Sequence, residues 1–409
     1  MPERISDSLK ARIAMARMEP LLKGGSMLSY SEIIEQFRDE LDDGSHGTIA
    51  ERTVQAAFRE AFERGLVTLQ KKPIIRSYTR RHDLEEALKH RYHQTLMEAV
   101  VADIERDPGR DDDLSNYIHE QLGHALATYI DETAHLIRSG DVIGLGSGRG
   151  VRNVVSVLTE LQRPPALKVD EVTLVSLTGS LYAGTAEEPK KARSELLFDA
   201  DTHVALLSQY FSGLVHTRPI LQRIAHPKSE RQALLAKTWL GPDQYKLHRP
   251  NVVVAGVGTL GPGHRFWQEI KNAHPSLYLD PVRKPLKQLV DHVEQLAARN
   301  RGLEYCPVAD ICNRLFLVRP PRALGDEDMR IIDEDIDGLI DEINACLLTV
   351  TKTQLSEAGK ILLVAGTPRK VQAIHALLNH RIAKIHVLCT DVEAAKLLLR
   401  LPKEAVEQR

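Results

Sequence analysis

Four short apolar runs, Val142 to Leu145, Val172 to Leu177, Val252 to Ala255 and Ile361 to Ala365, each lead into a turn rich in glycine or hydroxyl residues and then into a helical pattern. Strands that alternate with helices in this way favour a largely parallel α/β sheet, because a parallel strand can rejoin the sheet only through a long crossover. In such sheets ligands bind beyond the carboxyl ends of the strands, so the turns after these runs are where function is expected. Ahead of the first run, Leu114, Ile118, Leu122, Leu126 and Ile130 form an i+4 apolar stripe that ends by Gly140.

Core-forming material is ample for such a sheet. Apolar residues make up 43% of the 409 and charged residues 27%, proportions that exclude a disordered tail or a fibre. The length suits a small domain beside a large one. No run approaches the roughly 20 apolar residues needed to cross a bilayer, and the start Met1-Pro-Glu-Arg-Ile-Ser-Asp7 has no basic stretch leading into an apolar core. A cytoplasmic protein without membrane contact is therefore expected. Cys306, Cys312, Cys346 and Cys389 lack CxxC spacing and read as reduced core residues.

The formal net charge is only −2, yet the two signs separate along the N-terminal region. Acidic residues gather from Glu32 to Asp43, whereas Thr48 to Arg81 is locally basic. In that basic stretch Val54, Ala57, Phe58 and Ala61 recur at helical spacing, with Thr48 as cap and Gly65 as stop. An earlier helix is expected from Tyr30 to Phe37, and Leu66 to Ile75 reads as a hairpin with a basic tip. Together these elements predict a winged helix-turn-helix. On physical grounds Arg52, Gln55 and Arg59 reach base edges or phosphates and Lys71 and Lys72 meet backbone phosphates, while Thr48 and Thr53 complete the DNA-facing set. The expected organisation is a DNA-binding domain over residues 1–80, a linker helix over 81–106 and an effector and oligomerisation domain over 107–409.

Two turns are candidates for holding an anion. In Gly144-Leu-Gly-Ser-Gly-Arg-Gly150, glycines let backbone amides approach a ligand, while Ser147 and Arg149 add a hydroxyl and a cationic fork. In Gly366-Thr-Pro-Arg-Lys370, Thr367 caps a helix, Pro368 takes its first position and Lys370 lies one turn inside. A bare strand-to-helix turn and a capped helix with a solvated lysine are the simpler alternatives, and the local sequence leaves both open. Thr390-Asp-Val-Glu393 reads as a structural capping box.

Three other patterns carry competing readings. Gly256-Val-Gly-Thr-Leu-Gly261 matches GxGxxG and Asp280 lies at a suitable distance for a ribose, but Pro262 and Gly263 lengthen the loop and the helix before Asp280 is short, so an NAD-binding redox sensor stands as a lesser alternative. His119 and His124 stand five apart and diverge around a helix, so no metal is expected either. Asp326 to Glu342 reads as an amphipathic helix, packed on the core in preference to a subunit contact.

The order of these pieces resembles the SorC family of sugar-binding transcriptional regulators. The N-terminal part of the resemblance lies in Thr53 to Val67 and Asp83 to Leu88. In the large domain it lies in Gly140 to Arg149, Leu177-Thr-Gly179, Ala255 to Gly258, Val308-Ala-Asp310, Val364 to Ile374, Thr390-Asp391 and Ala394-Ala395. The sequence departs from the family pattern where Gly150 stands for a usual Thr, Thr367 for a usual second Gly and Ala309 for a usual Gly.

The resemblance implies an α/β effector domain akin to sugar-phosphate isomerases and deaminases, which binds a phosphorylated sugar and alters affinity for a DNA operator. It implies phosphate contacts near Gly146, Ser147, Gly148 and Arg149, a polar contact from Asp310, a charge contact from Lys370, and neighbouring roles for Gly179, Gly366 and Thr367. No catalytic residue or cofactor is expected, and a homo-oligomer, dimer or tetramer, is expected. The rival expectation is a sugar-phosphate isomerase or deaminase, since Gly256 to Phe266, with His264, is similar to the deaminases' glycine-histidine loop. In that loop Thr259 and Leu260 stand where an acid would be needed.

Overall fold

A computed structural model describes residues 13, 30–37, 54, 78–104, 114–133, 135–160, 169–180, 199–211, 213–222, 224–261, 264–271, 277–300, 305–320, 324–379 and 384–402. The chain divides into two compact units, Met1–Ile75 and Arg76–Arg409. In the first, the helix Tyr30–Gln36 forms where the sequence places it, and Ile13, Ile33, Phe37 and Val54 are buried. The DNA-facing residues Thr48, Arg52, Thr53, Gln55, Arg59, Lys71 and Lys72 lie outside the described residues.

The second unit is built on a ten-stranded sheet. Its strands are β1 (Tyr78–Arg80), β2 (Leu96–Ile104), β3 (Val142–Leu145), β4 (Glu171–Ser176), β5 (Leu214–Arg218), β6 (Val252–Thr259), β7 (Val308–Ile311), β8 (Arg314–Leu317), β9 (Lys360–Val364) and β10 (Ile385–Asp391). The helices that matter for the site are α1 (His82–Arg91), α2 (Leu114–Glu132), α3 (Arg149–Glu160), α4 (Ala200–Leu207), α5 (Arg283–Arg299), α6 (Val371–Asn379) and α7 (Val392–Arg400). The main strand order is β1-β2-β10-β9-β6-β3-β4-β5, and every neighbouring pair along it is parallel except β1 with β2. The expected parallel α/β class is thus what forms.

All four strands expected in the large domain are present, to within a few residues at their ends. β9 is buried along most of its length, which is why Ile361 to Val364 runs as a continuous apolar stretch instead of alternating. The connections place the ligand region. From β3 the chain moves outward to β4 and β5, returns to β6 on the other side of β3, and then moves the opposite way to β9 and β10. Strand order therefore reverses between β3 and β6, and at such a point the turns beyond the strand ends splay apart and leave a crevice.

Several elements differ from the sequence reading. Residues 81–106, expected as a linker, hold α1 as a helix, but β2 follows inside the sheet, parallel to β10. Its partner lies some 290 residues further along, so no local pattern announces the pairing. The segment is fastened by the Arg80–Glu85 ion pair, Nε to Oε1 at 2.8 Å, and by the Val101 amide donating to Glu85 at 3.0 Å. The GxGxxG run is not a strand-to-helix turn, because β6 continues straight through Gly256 and Gly258, first between β3 and β9 and then alongside β7. β7 and β8 form a hairpin whose two turn residues, Cys312 and Asn313, have φ of 53° and 62°. Left-handed values at both positions are the pattern that matches the twist of a two-residue hairpin.

The acidic stretch forms helix Asp326–Arg330, a π turn Ile331–Ile336 and helix Asp337–Asn344. Its Ile331, Ile332, Ile336, Ile340 and Ile343 pack in one cluster with Leu286, Leu289 and Val293 of α5, so its apolar face belongs to the core. None of the four cysteines is disulfide-bonded; Cys312 and Cys389 are buried and Cys306 and Cys346 half-buried.

Candidate functional site

The turn after β3 delivers Ser147, Gly148 and Arg149 to the crevice. Gly148 has φ of 106°, open to glycine and strained for other residues, and its carbonyl accepts from the Arg152 amide to start α3. Gly146 is held from both sides: its amide donates to the Val254 carbonyl at 2.9 Å, and its carbonyl accepts from Nδ1 of the buried His203 at 2.9 Å. A β-carbon at Gly150 would lie 2.9 Å from a methyl of Val364, so glycine there lets the turn after β3 pack against the end of β9. The Ser147 hydroxyl has no partner among the described residues and is half-buried.

The turn after β9 is built differently from expectation. Thr367 does not cap a helix; it has φ of 77° and ψ of 147°, a region that β-branched residues avoid. Its amide donates to Asp391 Oδ2 at 2.5 Å, which fixes that backbone. A 3-10 turn, Pro368–Lys370, follows, and α6 begins only at Val371, so Lys370 stands at the mouth of the helix and not one turn inside. Asp391 also accepts from the Ala394 amide at 2.9 Å and caps α7. The cap thus lies one residue later than the sequence suggests, because β10 runs on through the buried Thr390 to Asp391 and α7 begins only at Val392.

Lys370 Nζ lies 3.0 Å from Nε2 of His119 on α2, a residue 9% exposed. Burial, with Lys370 and Arg149 close by, pushes the His119 imidazole down to about 3. The ring is therefore neutral, its Nε2 accepts from the ammonium and its Nδ1 carries the proton. Lys370 itself is brought down to about 8, chiefly by desolvation, with Asp310 and Asp391 opposing that shift and Arg149 adding to it. Arg149 is exposed and donates to the Asn116 side chain, also on α2, at 2.5 Å.

Asp310, on β7, completes the wall. Its Oδ1 lies 2.9 Å from His264 Nε2, and its Oδ2 accepts from the Asn313 amide at 3.0 Å. The Phe266 amide donates to His264 Nδ1 at 3.2 Å, which leaves the ring proton on Nε2, facing the carboxylate. A side chain at Gly258 would collide with Asp310, so the glycine of the GxGxxG run makes room for the His264–Asp310 pair and not for a dinucleotide.

Of the sequence-derived candidates, Gly146, Ser147, Gly148, Arg149, Asp310, Gly366, Thr367 and Lys370 converge on this crevice. Gly179 is buried and its amide already donates to the Leu348 carbonyl at 2.8 Å, so it offers no free donor. Sequence reasoning missed Asn116, His119, His203, His264 and Asp391 as parts of the site. Of these, His119, His264 and Asp391 carried a signal, each inside a motif read for another purpose.

The chemistry of the arrangement follows from who pairs with whom. Both acids are engaged by donors within the protein, whereas both cations face neutral acceptors. Neither cation is hydrogen-bonded to a carboxylate, so donors of both remain open to a small anion at the ends of β3 and β9, with Asp310 and Asp391 near enough to favour the charged form of Lys370.

A family model described as "Putative sugar-binding domain" matches residues 76–270 and 335–400, more than half of the chain and all of the crevice except Asp310. The chain belongs to this sugar-binding domain family. The family match bears out the SorC-type resemblance read from the sequence. The sugar-binding domain is also similar to solved structures. The full-length sorbitol operon regulator SorC from Klebsiella pneumoniae aligns at 18% identity and a TM-score of 0.49, over 96% of this chain and 99% of that one. The sugar-binding domain of a transcriptional repressor from Vibrio fischeri aligns at 16% identity and a TM-score of 0.50, over 78% and 99%. A monomeric glucosamine-6-phosphate deaminase aligns at 16% identity and a TM-score of 0.32, over 68% and 96%. No curated protein sequence matches the chain. No helix among the described residues is long and apolar enough to cross a membrane.

Proposed function

We propose that this protein is a DNA-binding transcriptional regulator whose operator affinity is set by a phosphorylated sugar. The observation that carries the phosphate reading is the pairing of Lys370 and Arg149 with the neutral acceptors His119 and Asn116, while Asp310 and Asp391 are engaged elsewhere. A phosphate bound there meets the ammonium, the guanidinium, the Ser147 hydroxyl and backbone amides at the start of α3. Sugar hydroxyls would then fall toward Asp310, whose carboxylate retains lone pairs for them.

The N-terminal unit supplies the DNA contacts in this reading, with Arg52, Gln55 and Arg59 toward bases or phosphates and Lys71 and Lys72 toward the backbone. A ligand regulates such a protein only if it binds the DNA-competent and DNA-incompetent forms with different affinity. Function as a symmetric homo-oligomer follows from the two-fold operators that helix-turn-helix proteins read.

Binding without turnover is proposed because His264 has both ring nitrogens engaged, one by Asp310 and one by the Phe266 amide, and so is not poised to move a substrate proton. Thermal stability against phosphorylated sugars, their unphosphorylated counterparts and NAD tests the reading. A rise with one sugar phosphate alone is expected, since a ligand selective for the folded state raises the melting temperature. A rise with NAD alone, or isomerase or deaminase turnover abolished by His264→Ala, would replace the proposal. On the DNA side, Arg52→Ala and Arg59→Ala are expected to weaken operator binding with effector affinity unchanged.

A further inference from the structure

We propose that His119 and Asn116 are positioning residues, which hold the Lys370 ammonium and the Arg149 guanidinium in place through neutral acceptors so that both charges remain available to one phosphate. The inference rests on the phosphate reading of the crevice. The two residues are three apart on α2 and so share a face, and that face is turned to the ends of β3 and β9. Each cation gives up one hydrogen bond to α2. An ammonium has three donors and a guanidinium five, so two remain on Lys370 and four on Arg149.

Neutrality is the essential property at position 119. A carboxylate there would cancel the Lys370 charge and repel a phosphate, and a cation would repel Lys370 itself. An apolar residue would leave a desolvated ammonium short of an acceptor. Histidine answers all three requirements because burial keeps it uncharged while Nε2 still accepts. The Nδ1–H that results has no partner among the described residues and remains a donor on the same wall. The charged and titratable groups facing Lys370 come from four elements: His119 on α2, Arg149 on α3, Asp310 on β7 and Asp391 on β10. Of these, His119 alone is in hydrogen-bond contact with the ammonium among the described residues.

The test uses the full chain, with inorganic phosphate as the calorimetric probe and a titration of Lys370 by lysine-labelled NMR. In His119→Leu, which keeps the bulk and removes the acceptor, phosphate affinity at pH 7.5 is expected to fall about tenfold, the loss of one charged hydrogen bond. Lys370 is expected to deprotonate at a lower pH than in the wild type, because an acceptor that favoured its charged form is gone. His119→Gln, whose amide oxygen can accept in the same place, should restore both properties. Asn116→Ala, at the exposed end of the pair, should weaken phosphate about threefold with Lys370 titrating as before. An unchanged affinity and Lys370 titration in His119→Leu would overturn the assignment, as would an affinity loss that His119→Gln fails to rescue. Should His119→Leu not fold, an unchanged phosphate affinity in Asn116→Ala would overturn it. Absence of phosphate binding by the wild type, with Lys370 still shifting in His119→Leu, would instead overturn the phosphate reading and leave the pairing intact.

Discussion

The turns after β3 and β9 lie on opposite sides of the reversal in strand order, face the same crevice and reach it by opposite means. The first uses backbone: glycines at 146 and 150 let the chain pass close to its neighbours, glycine at 148 takes a positive φ, and α3 starts at once. The second uses side chains: Thr367 occupies a backbone region natural to glycine, a 3-10 turn delays α6, and Lys370 projects from that turn to His119. A turn made of glycine packs easily but carries little charge. A turn with Thr367 and Lys370 carries charge and selectivity but must be held in place by Asp391.

That contrast can be broken most severely at Gly366. A β-carbon there would meet the Asp391 carboxylate and lie 2.5 Å from a methyl of Leu122, disturbing the group that fixes Thr367 and caps α7. Gly366→Ala is expected to destabilise the protein by about 3 kcal/mol in urea unfolding, the upper part of the range for overpacking. A cost below about 1 kcal/mol would show that the turn relaxes freely.

Lys370→Ala removes the charge of the second turn and leaves the first intact. Sugar-phosphate affinity is expected to fall roughly thirtyfold, about 2 kcal/mol, with effector-free operator binding nearly unchanged. Arg149→Ala should cost less than that, because Arg149 is exposed and its charge is screened. Equal losses in the two variants would remove the asymmetry between the turns.

Thr367→Gly tests the strain. Releasing a β-branched residue from this backbone region gains about 1–3 kcal/mol, and the added freedom of glycine in the unfolded chain costs about 0.5–1, so a net gain near 1 kcal/mol is expected. A rise in melting temperature reads it, and a fall would mean that the Thr367 side chain makes a net favourable contribution that outweighs its backbone.

A pH slope reads the Lys370 charge without any substitution. Lys370 titrates at about 8 in the folded protein against an ordinary 10.5, so between those values the unfolded chain binds more protons. Stability from this group therefore rises as pH goes from about 8 to 10.5, while phosphate affinity falls over the same range because the ammonium is lost. Lys370→Met should flatten both slopes, measured by urea unfolding and by calorimetry. A slope that persists would have to come from other groups.

Much of this was legible in the sequence, and the limits of legibility have physical causes. The strands β3, β4, β6 and β9 show themselves because strands covered by helices on both faces are continuously apolar. Ser147, Gly148, Arg149 and Lys370 show themselves because glycine, hydroxyl and cation stand within a few residues of the strand ends. β2 did not, because its pairing with β10 is long-range and its charged flanks resemble a linker. Thr390 looked like a cap because Thr-x-x-Glu is a capping pattern, but β10 runs on to Asp391, α7 begins only at Val392, and the Asp391 carboxylate caps it.

The sequence by itself determined the class of fold, the two turns and the kinds of donor they carry, since apolar runs, glycines and charges act over a few neighbouring residues. Only the tertiary structure decided which partners those donors meet. His119 stands out only as one of two histidines that diverge around a helix until α2 is packed against the end of β9, and Gly258 only as part of a GxGxxG match until β7 brings Asp310 beside it. Charge and protonation at this site are set by burial and by neighbours up to 251 positions away, and those exist only once the sheet has closed.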